Sequence, residues 1–300
     1  MLEAAHKPKN VGEVQNKGFE VSLGLNLLRS KDFNWTSTFN GSTVKNRVVS
    51  LGGIAPRIAQ GTNVGAGMST TNEFMLVPGN SLGSYWGIKY LGTWKPKDAG
   101  QAAVYNAKPG DSRYEDVNND GKITTDDFQI IGKGIPTTTA GWNNTFSYKA
   151  LTLNVFVQGV FGIDKLNYTR AAAMSGSGDA RQYILSEIKG AYTPGVNETS
   201  DIPAFSSTNV VYTQSSRFIE NGNYVRLKNV SLSYNLPTSS NQRGSIRIFV
   251  SATNLITFTK YKGIDPESSN IGSGTDTAQG IDYGSYPNSK TYTAGITLSY

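Results

Sequence analysis

The sequence predicts an all-β protein. Specifically, it predicts about nine strands that form a portion of a larger antiparallel transmembrane β-barrel with long extracellular loops. Several segments alternate apolar and polar residues, which is the pattern of a strand that lies between lipid and water. No stretch reaches the roughly 18 continuous apolar residues that a spanning helix needs. Long and short connections also alternate between the predicted strands, as they do in outer-membrane barrels.

The last predicted strand, residues 290–300, shows the alternation most clearly. One face carries Tyr292, Ala294, Ile296, Leu298 and Tyr300, and the other carries Thr293, Gly295, Thr297 and Ser299. The spacing of Thr293, Gly295, Leu298 and Tyr300 resembles the signal that the outer-membrane barrel assembly machinery recognises. A soluble edge strand also alternates, so this segment alone leaves that alternative open.

Composition excludes several classes of site. The chain has no cysteine, which excludes a disulfide framework, a thiolate metal site and a catalytic cysteine. His6 is the one histidine, which argues against histidine-based catalysis and multi-histidine metal sites. The formal net charge is +6, but lysine and arginine are scattered along the chain. We therefore predict neither a nucleic-acid partner nor an enzymatic activity.

The first four predicted strands precede a long loop. Residues 17–28 and 33–47 alternate on either side of a tight turn and predict a hairpin. Residues 67–76 are a weaker strand, which the alternation of long and short connections requires, and residues 83–94 follow it. The densest aromatic group of the chain lies in this fourth strand: Tyr85, Trp86, Tyr90 and Trp94. We interpret these four rings as a membrane girdle in preference to a ligand-stacking surface for sugars.

Two further hairpins and the final strand complete the predicted wall. Residues 140–148 pair with residues 151–161, since both alternate and only two residues separate them. Residues 224–236 pair with residues 245–256, and both carry apolar side chains at every second position. With residues 290–300 the count reaches nine, an odd number that cannot close an antiparallel barrel. The missing strands are expected from elsewhere.

The connections predict the orientation in the membrane. The long ones are residues 48–66, 95–138, 162–222 and 257–289, and the short ones are residues 29–32, 77–82, 149–150 and 237–244. With the C-terminus in the periplasm, every long connection falls outside, and residues 1–16 become the remnant of an extracellular loop. Residues 180–192 have a helical period and predict a short helix in the longest loop. The first residues lack the apolar segment needed for export, so we expect residues 17–300 to be the C-terminal portion of a larger barrel.

The sharpest local motif is a calcium-type loop at residues 116–127. Oxygen-bearing side chains stand at positions 1, 3 and 5, glycine stands at position 6, and a carboxylate stands at position 12. The predicted metal ligands are Asp116, Asn118, Asp120, the Lys122 carbonyl, Thr124 or a water, and Asp127. A turn rich in Asn, Asp and Gly without an ion is the alternative. Because the loop would face outside, a structural Ca²⁺ is favoured over a sensor site.

A second acidic group precedes the last strand and consists of Asp265, Glu267, Asp276 and Asp282. Two acids that flank a glycosidic bond can catalyse its hydrolysis, but spacing along the sequence does not fix the distance between them. We interpret these residues as solvated loop acids.

Seven motifs follow one another along the chain: Asn16–Glu20, Tyr85–Gly92, Pro109–Gly121, Ile131–Pro136, Asn223–Val230, Ser251–Leu255 and Tyr286–Pro287. In this combination and order they resemble the SusC/RagA-type TonB-dependent transporters of Bacteroidetes outer membranes. The resemblance covers essentially the whole chain and matches about the C-terminal third of a family member.

The resemblance implies a 22-stranded barrel with an N-terminal plug. It also implies a protein that TonB energises and that a SusD-like surface lipoprotein caps to capture oligosaccharides or peptides. The implied partners are the rest of the barrel and the plug, the lipoprotein, TonB through the missing N-terminal part, the barrel assembly machinery and outer-membrane lipid. Two alternatives remain from the residues themselves. One is an autonomous outer-membrane barrel acting as an adhesin or structural protein, and the other is a secreted calcium-binding β-protein that binds glycan.

Overall fold

The computed structural model describes residues 12–53, 55–62, 71–174, 185–205, 212, 214–237, 244–269 and 279–299. The strands are β1 (Glu13–Arg29), β2 (Phe33–Ser50), β3 (Arg57–Thr62), β4 (Thr71–Leu76), β5 (Ser84–Gly87), β6 (Tyr90–Thr93), β7 (Ser112–Tyr114), β8 (Gln129–Lys133), β9 (Thr138–Tyr148), β10 (Leu151–Phe161), β11 (Asp164–Asn167), β12 (Ile219–Asn221), β13 (Tyr224–Leu236), β14 (Ser245–Thr259), β15 (Ile281–Asp282) and β16 (Thr291–Ser299). The α-helices are α1 (Ala99–Val104) and α2 (Tyr168–Met174). Single 3-10 turns lie at Pro96–Asp98, Thr125–Asp127, Ser186–Gly190 and Ser216–Phe218.

Seven long strands form one antiparallel sheet, in the order β1-β2-β9-β10-β13-β14-β16. Each strand pairs with the next long strand along the chain, so the sheet is a meander. The predicted hairpins and the predicted final strand all lie in this sheet. The all-β, antiparallel barrel class predicted from the alternation is confirmed.

The predicted count of about nine wall strands is wrong, because two predicted strands lie outside this long sheet. β4, in the region predicted at 67–76, belongs to the four-stranded sheet β3-β4-β5-β8, and residues 63–70 lie outside the described residues. The segment predicted at 83–94 is divided between β5 and β6, which belong to different small sheets. Glycines explain the interruption. At Gly87 a Cβ would lie 2.3 Å from the carbonyl oxygen of Gln214, and Gly92 has φ +99, which other residues rarely adopt.

The register gives the long sheet two faces of opposite character. In one row Leu23 lies opposite Phe39, and Phe39 lies opposite Trp142. In the next row Ser22 lies opposite Asn40, which continues the same alternation. Large apolar side chains are exposed on the first face, among them Phe19, Leu23, Val250, Tyr292 and Leu298. We name the two sides the apolar face and the polar face, and their alternation is the one that a membrane barrel requires.

Short turns lie at one end of the long sheet and long connections lie at the other. The turns are residues 30–32 and 149–150, and the long connections are residues 51–137, 162–223 and 260–290. The predicted turn at 237–244 lies largely outside the described residues. We name the three long connections together the loop region. Their small sheets and helices share one core, made of Phe74, Tyr85, Leu166, Tyr168, Ala171, Met174, Phe218 and Ile281. The three connections therefore fold together instead of extending separately.

The helical content of the loop region differs from the prediction. At 180–192 the structure has the 3-10 turn Ser186–Gly190, while residues 180–184 lie outside the described residues. α1 and α2 lie in segments for which no helix was predicted. Among the described residues, no helix combines the length and the hydropathy that crossing a membrane demands.

Candidate functional site: the polar face and the loop region

The polar face carries a groove of about 610 Å³ across β1, β2, β9 and β10. Its lining includes Glu20, Ser22, Asn40, Thr139 and Gln158. The Ser22 hydroxyl donates a hydrogen bond to Asn40 Oδ1 at 2.7 Å, which fixes two of these side chains against each other. The lining combines one carboxylate and several hydroxyl and amide groups with apolar side chains that include Phe156. The polar groups can form hydrogen bonds with a polar solute or with another part of the protein.

Ser37 and Asn144 form a polar pair on the apolar face, where they are only 8% and 5% exposed. The Trp35 indole donates a hydrogen bond to Asn144 Oδ1 at 3.1 Å, and the Trp142 indole donates one to Ser37 Oγ at 2.8 Å. Both tryptophans therefore satisfy their N–H groups within the sheet. An unsatisfied donor facing lipid would cost several kcal/mol.

A buried ion-pair cluster fastens the loop region to the polar face. Arg226, in β13, is 2% exposed and donates hydrogen bonds to the carboxylates of Asp265 and Glu267. The Lys228 ammonium also contacts Glu267, at 2.8 Å. Asn288 adds its backbone N–H to Asp265, at 2.8 Å. The loop between β14 and β16 is thus held against β13 by charged hydrogen bonds, which are the stronger kind.

The electrostatics of this cluster favour a charged Asp265. Burial raises the pKa of the Asp265 carboxyl, but the backbone N–H of Glu267, the guanidinium of Arg226 and the backbone N–H of Asn288 together hold that pKa below its usual value. Burial lowers the pKa of Lys165 below its usual value, although the negative charges of Asp282, Asp265 and Glu267 act to raise it. The Lys165 ammonium donates to the carbonyl oxygens of Pro266 and Ser268.

The structure does not place the four predicted girdle residues on the apolar face. Tyr85 is 1% exposed and Trp94 is 5% exposed, and both are buried within the loop region. Trp86 lies in β5 beside Tyr85, and Tyr90 lies in β6, where its hydroxyl donates to the carbonyl of Asp201. The girdle interpretation therefore needs correction. A dense aromatic segment indicates burial, but it does not show whether lipid or protein covers the rings.

The predicted metal ligands lie in one tight, hydrogen-bonded loop. Gly121 has φ +76, and its N–H donates to the Asp116 carboxylate at 2.9 Å. Asp127 is fully buried, and its two oxygens accept the backbone N–H groups of Val117 and Thr124, at 2.9 and 2.8 Å. Across the described part of the chain, no three His, Cys, Asp or Glu side chains lie close enough together to hold a metal ion. The backbone thus follows the calcium template, while the carboxylates contact amide groups.

Two other predicted ligands reinforce the same turn. Asn118 Oδ1 accepts the N–H of Asp120 at 3.0 Å, and Asp120 Oδ1 accepts the N–H of Lys122 at 2.8 Å. Burial acts to raise the pKa of the Asp116 carboxyl, but donors led by the N–H of Gly121 outweigh it and lower that pKa below its usual value.

The predicted assembly-signal residues lie on both faces of β16. Thr293 and Gly295 are on the polar face, Leu298 is exposed on the apolar face, and Tyr300 lies outside the described residues. The Phe249 ring covers Gly295 so closely that a Cβ there would lie 2.5 Å from it. This contact gives Gly295 a packing role that the sequence did not indicate.

The acidic residues before the last strand are largely structural, and the interpretation of them as solvated is wrong for Asp265 and Asp282, which are each 4% exposed. Asp265 and Glu267 bind Arg226, and Asp282 accepts the Tyr261 hydroxyl at 2.6 Å. Asp276 lies outside the described residues. Sequence reasoning missed Arg226 as their partner, because a single arginine in an alternating strand carries no sign of a contact about 40 residues away.

Comparisons with known proteins agree with this architecture. No family model matches the sequence. The chain is 34% identical over 301 residues to the TonB-dependent receptor P26 of Formosa agariphila, which covers 97% of this chain and 30% of that protein. It is 24% identical over 311 residues to the TonB-dependent receptor SusC of Bacteroides thetaiotaomicron, which covers 99% of this chain and 27% of that protein.

Solved structures give the same result for the fold. The RagAB peptide importer in its closed-closed state superposes with a TM-score of 0.75 at 25% identity, covering 97% of this chain and 30% of that chain. The RagAB peptide transporter superposes with a TM-score of 0.74 at 24% identity. The chain thus spans about three tenths of the length of its relatives, whose names are those of receptors and transporters and not of enzymes. By sequence and by fold, the chain is a homologue of TonB-dependent receptors, and it corresponds to one portion of their barrel.

Proposed function

We propose that this chain forms part of the wall and the outer loops of a TonB-dependent importer in the bacterial outer membrane. The observation that carries the proposal is the seven-stranded sheet, whose apolar face suits lipid and whose polar face suits a hydrated lumen. The family relationship supports the same assignment. Among the described residues, the edge strands β1 and β16 each pair on one side only, so the sheet needs further strands to satisfy its backbone groups in lipid.

The distribution of connections supports one orientation. Outer-membrane barrels have short periplasmic turns and long outer loops. On that basis the turns at 30–32 and 149–150 face the periplasm, and the loop region faces outside. β16 then runs toward the periplasm, so the C-terminus lies there.

We further propose that the loop region binds a SusD-like surface lipoprotein and that the cargo is an oligosaccharide or a peptide. The SusC relationship and the RagAB superposition support this partner class, and RagAB is a peptide importer. The polar groove at Glu20 and Gln158 would then form part of the route that opens when the plug moves. Its hydroxyl and amide groups can bind either cargo class.

The test uses the complete transporter that contains this chain, expressed together with the SusD-like lipoprotein proposed as its partner. We expect the protein in the outer-membrane fraction, co-purifying with the lipoprotein, and uptake of fluorescent oligosaccharides or peptides that is lost when TonB is deleted. Uptake that continues without TonB would contradict active import. Recovery in the soluble fraction would contradict the membrane assignment itself.

A further inference from the structure

A second candidate site lies in the loop region, between the end of α1 and the turn at residues 116–127. It is a cavity of about 250 Å³, below the roughly 300–1,000 Å³ range of drug-sized ligand pockets, so a small group would fill it. Its aromatic lining comes from Trp94, Tyr105, Tyr114 and Tyr212. Trp94 stacks on Tyr105 with centroids 5.6 Å apart, and Tyr114 meets Tyr212 edge-on at 5.2 Å. Two ring pairs thus line the space.

One carboxylate lines the same cavity. Asp111 is 9% exposed, and its Oδ2 accepts the backbone N–H of Lys108 at 2.9 Å. Its Oδ1 is buried and has no hydrogen-bond partner among the described residues. A buried carboxylate oxygen without a donor is unfavourable, because the group has lost its hydration without gaining a replacement.

The backbone holds Asp111 firmly in this position. Its carbonyl accepts the N–H of Trp94 at 3.0 Å, and the N–H of Gly110 donates to the Trp94 carbonyl at 2.8 Å. Gly110 has φ +94, and a Cβ there would lie 2.4 Å from the Tyr192 ring. The orientation of the carboxylate is therefore set before any ligand arrives, which lowers the entropic cost of binding.

Among the described residues, no lysine or arginine forms an ion pair with Asp111. The Arg113 guanidinium lies over the Trp94 ring, 4.6 Å from its centroid, and no ion pair of the described residues joins it to Asp111. Lys122 contributes to the lining but is an exposed residue and likewise has no ion pair with Asp111 in that set. Arg113 thus makes an intramolecular cation–π contact with one ring of the lining.

We propose that the cavity binds a primary organic ammonium group, such as a lysine side chain or the amino terminus of a peptide, with Asp111 as its counter-ion. Aromatic rings around a carboxylate are the arrangement that recognises organic cations. A primary ammonium supplies both the positive charge and the N–H donor that Asp111 Oδ1 lacks, whereas a quaternary ammonium supplies the charge alone. The site does not depend on the transport proposal, because all its groups lie within the described loop region.

Ligand-observed NMR titration of the complete purified protein tests the proposal with three probes of similar size. n-Butylammonium copies the lysine side chain, choline is a quaternary cation, and butan-1-ol is uncharged. We expect n-butylammonium to bind at least about tenfold more tightly than butan-1-ol, because a desolvated cation gains from both the rings and the carboxylate. Choline is expected to lie between them. Choline as the tightest ligand would overturn the primary-amine assignment.

Substitution provides the second arm. Asp111→Asn keeps the shape of the side chain and removes its charge, so it should lower n-butylammonium affinity about tenfold and leave butan-1-ol binding unchanged. Asp126→Asn removes an exposed carboxylate from the neighbouring turn and should change neither. Equal binding of n-butylammonium and butan-1-ol by the unmodified protein, or no binding of either, would overturn the site without reliance on any variant.

Discussion

At the residue scale, Arg226 is the side chain on which the loop between β14 and β16 depends most. Replacing it with methionine keeps much of the apolar stem but leaves Asp265, which is 4% exposed, without its cation. Removing one partner of a buried ion pair typically costs about 3–5 kcal/mol. We expect Arg226→Met to make residues 260–269 much more sensitive to limited proteolysis.

Lys228 offers the matched control for this prediction. Its contact with Glu267 is about 28–29% exposed on both sides, and such partly solvated pairs contribute up to about 1 kcal/mol. Lys228→Met should therefore change proteolysis of the same loop only slightly. Equal sensitivity of the two variants would show that burial of the Arg226 pair does not stabilise the loop.

The depressed pKa of Asp265 predicts how this contact responds to acid. A carboxyl whose pKa is lower in the folded protein than in the unfolded chain contributes stability above its unfolded value of about 3.9. That contribution is lost as the pH falls through the lower, folded value. Proteolysis of residues 260–269 by an acid-active protease should therefore be unchanged from pH 7 to about pH 5 and should accelerate below about pH 4. Faster proteolysis already near pH 6 would show that a group other than Asp265 controls the response of this loop to acid.

We propose that the turn at residues 116–127 binds Ca²⁺ through the ligands predicted above, because its backbone follows the calcium template. Ca²⁺ would draw the carboxylates inward, and excess Ca²⁺ should therefore slow cleavage of the turn relative to a chelator. Asp116→Ala should abolish this difference, whereas Asp126→Ala, at a position that is not a ligand in the template, should preserve it. Identical cleavage with Ca²⁺ and with chelator would contradict Ca²⁺ binding by this turn.

At the element scale, β16 is paired with β14 under a ring that covers a glycine. Gly295→Ala would place a Cβ only 2.5 Å from the Phe249 ring. The strands would therefore have to separate, or the ring would have to turn. We expect less heat-modifiable, folded protein in outer membranes. Phe249→Leu in the same chain should restore folding if packing is the cause.

The outcome of this double substitution also separates two roles for Gly295. If the assembly machinery reads the glycine itself, Phe249→Leu will not restore folding, and the protein will remain unassembled. If it does restore folding, the glycine is required only to accommodate the ring.

The wall hairpins were predictable because each carries its own signal. Residues 224–236 match β13, and residues 151–161 match β10, since alternation over ten or more residues has few other structural explanations. The prediction of one wall strand at residues 83–94 was wrong for a definite reason. The aromatic spacing of this segment fixes which side chains share a face, but the covering partner of Tyr85 is Phe74 and not lipid. Gly87 and Gly92 were the sequence signal that the strand is interrupted, because glycine inside a strand often marks a bend or a close approach of another backbone.

At the scale of the whole molecule, the loop region was beyond sequence reasoning because its contacts join distant segments. The Tyr85 hydroxyl donates to the Gln279 carbonyl across 194 positions, and Lys95 binds Asp201 across 106. The alternation of a strand carries no information about such partners. The same limit applies to the cavity. The motif Pro109–Gly121 contributes Asp111 and Tyr114 to its lining, but Trp94 and Tyr212 lie elsewhere in the chain.

The orientation of the whole barrel follows from which end of the long sheet faces outside, and the chain allows a direct measurement. It has no cysteine, so a single introduced thiol in the complete protein, with any other cysteines replaced, reports one position. Lys97, in the loop region, and Lys31, in the first short turn, are both exposed, which makes Lys97→Cys and Lys31→Cys a matched pair. We expect a large, membrane-impermeant maleimide to label Lys97→Cys on intact cells and Lys31→Cys only after the outer membrane is permeabilised. The reverse pattern would invert the assigned topology. Labelling of both on intact cells would show that the long sheet does not separate two compartments, and the lumen assignment of the polar face would fail with it.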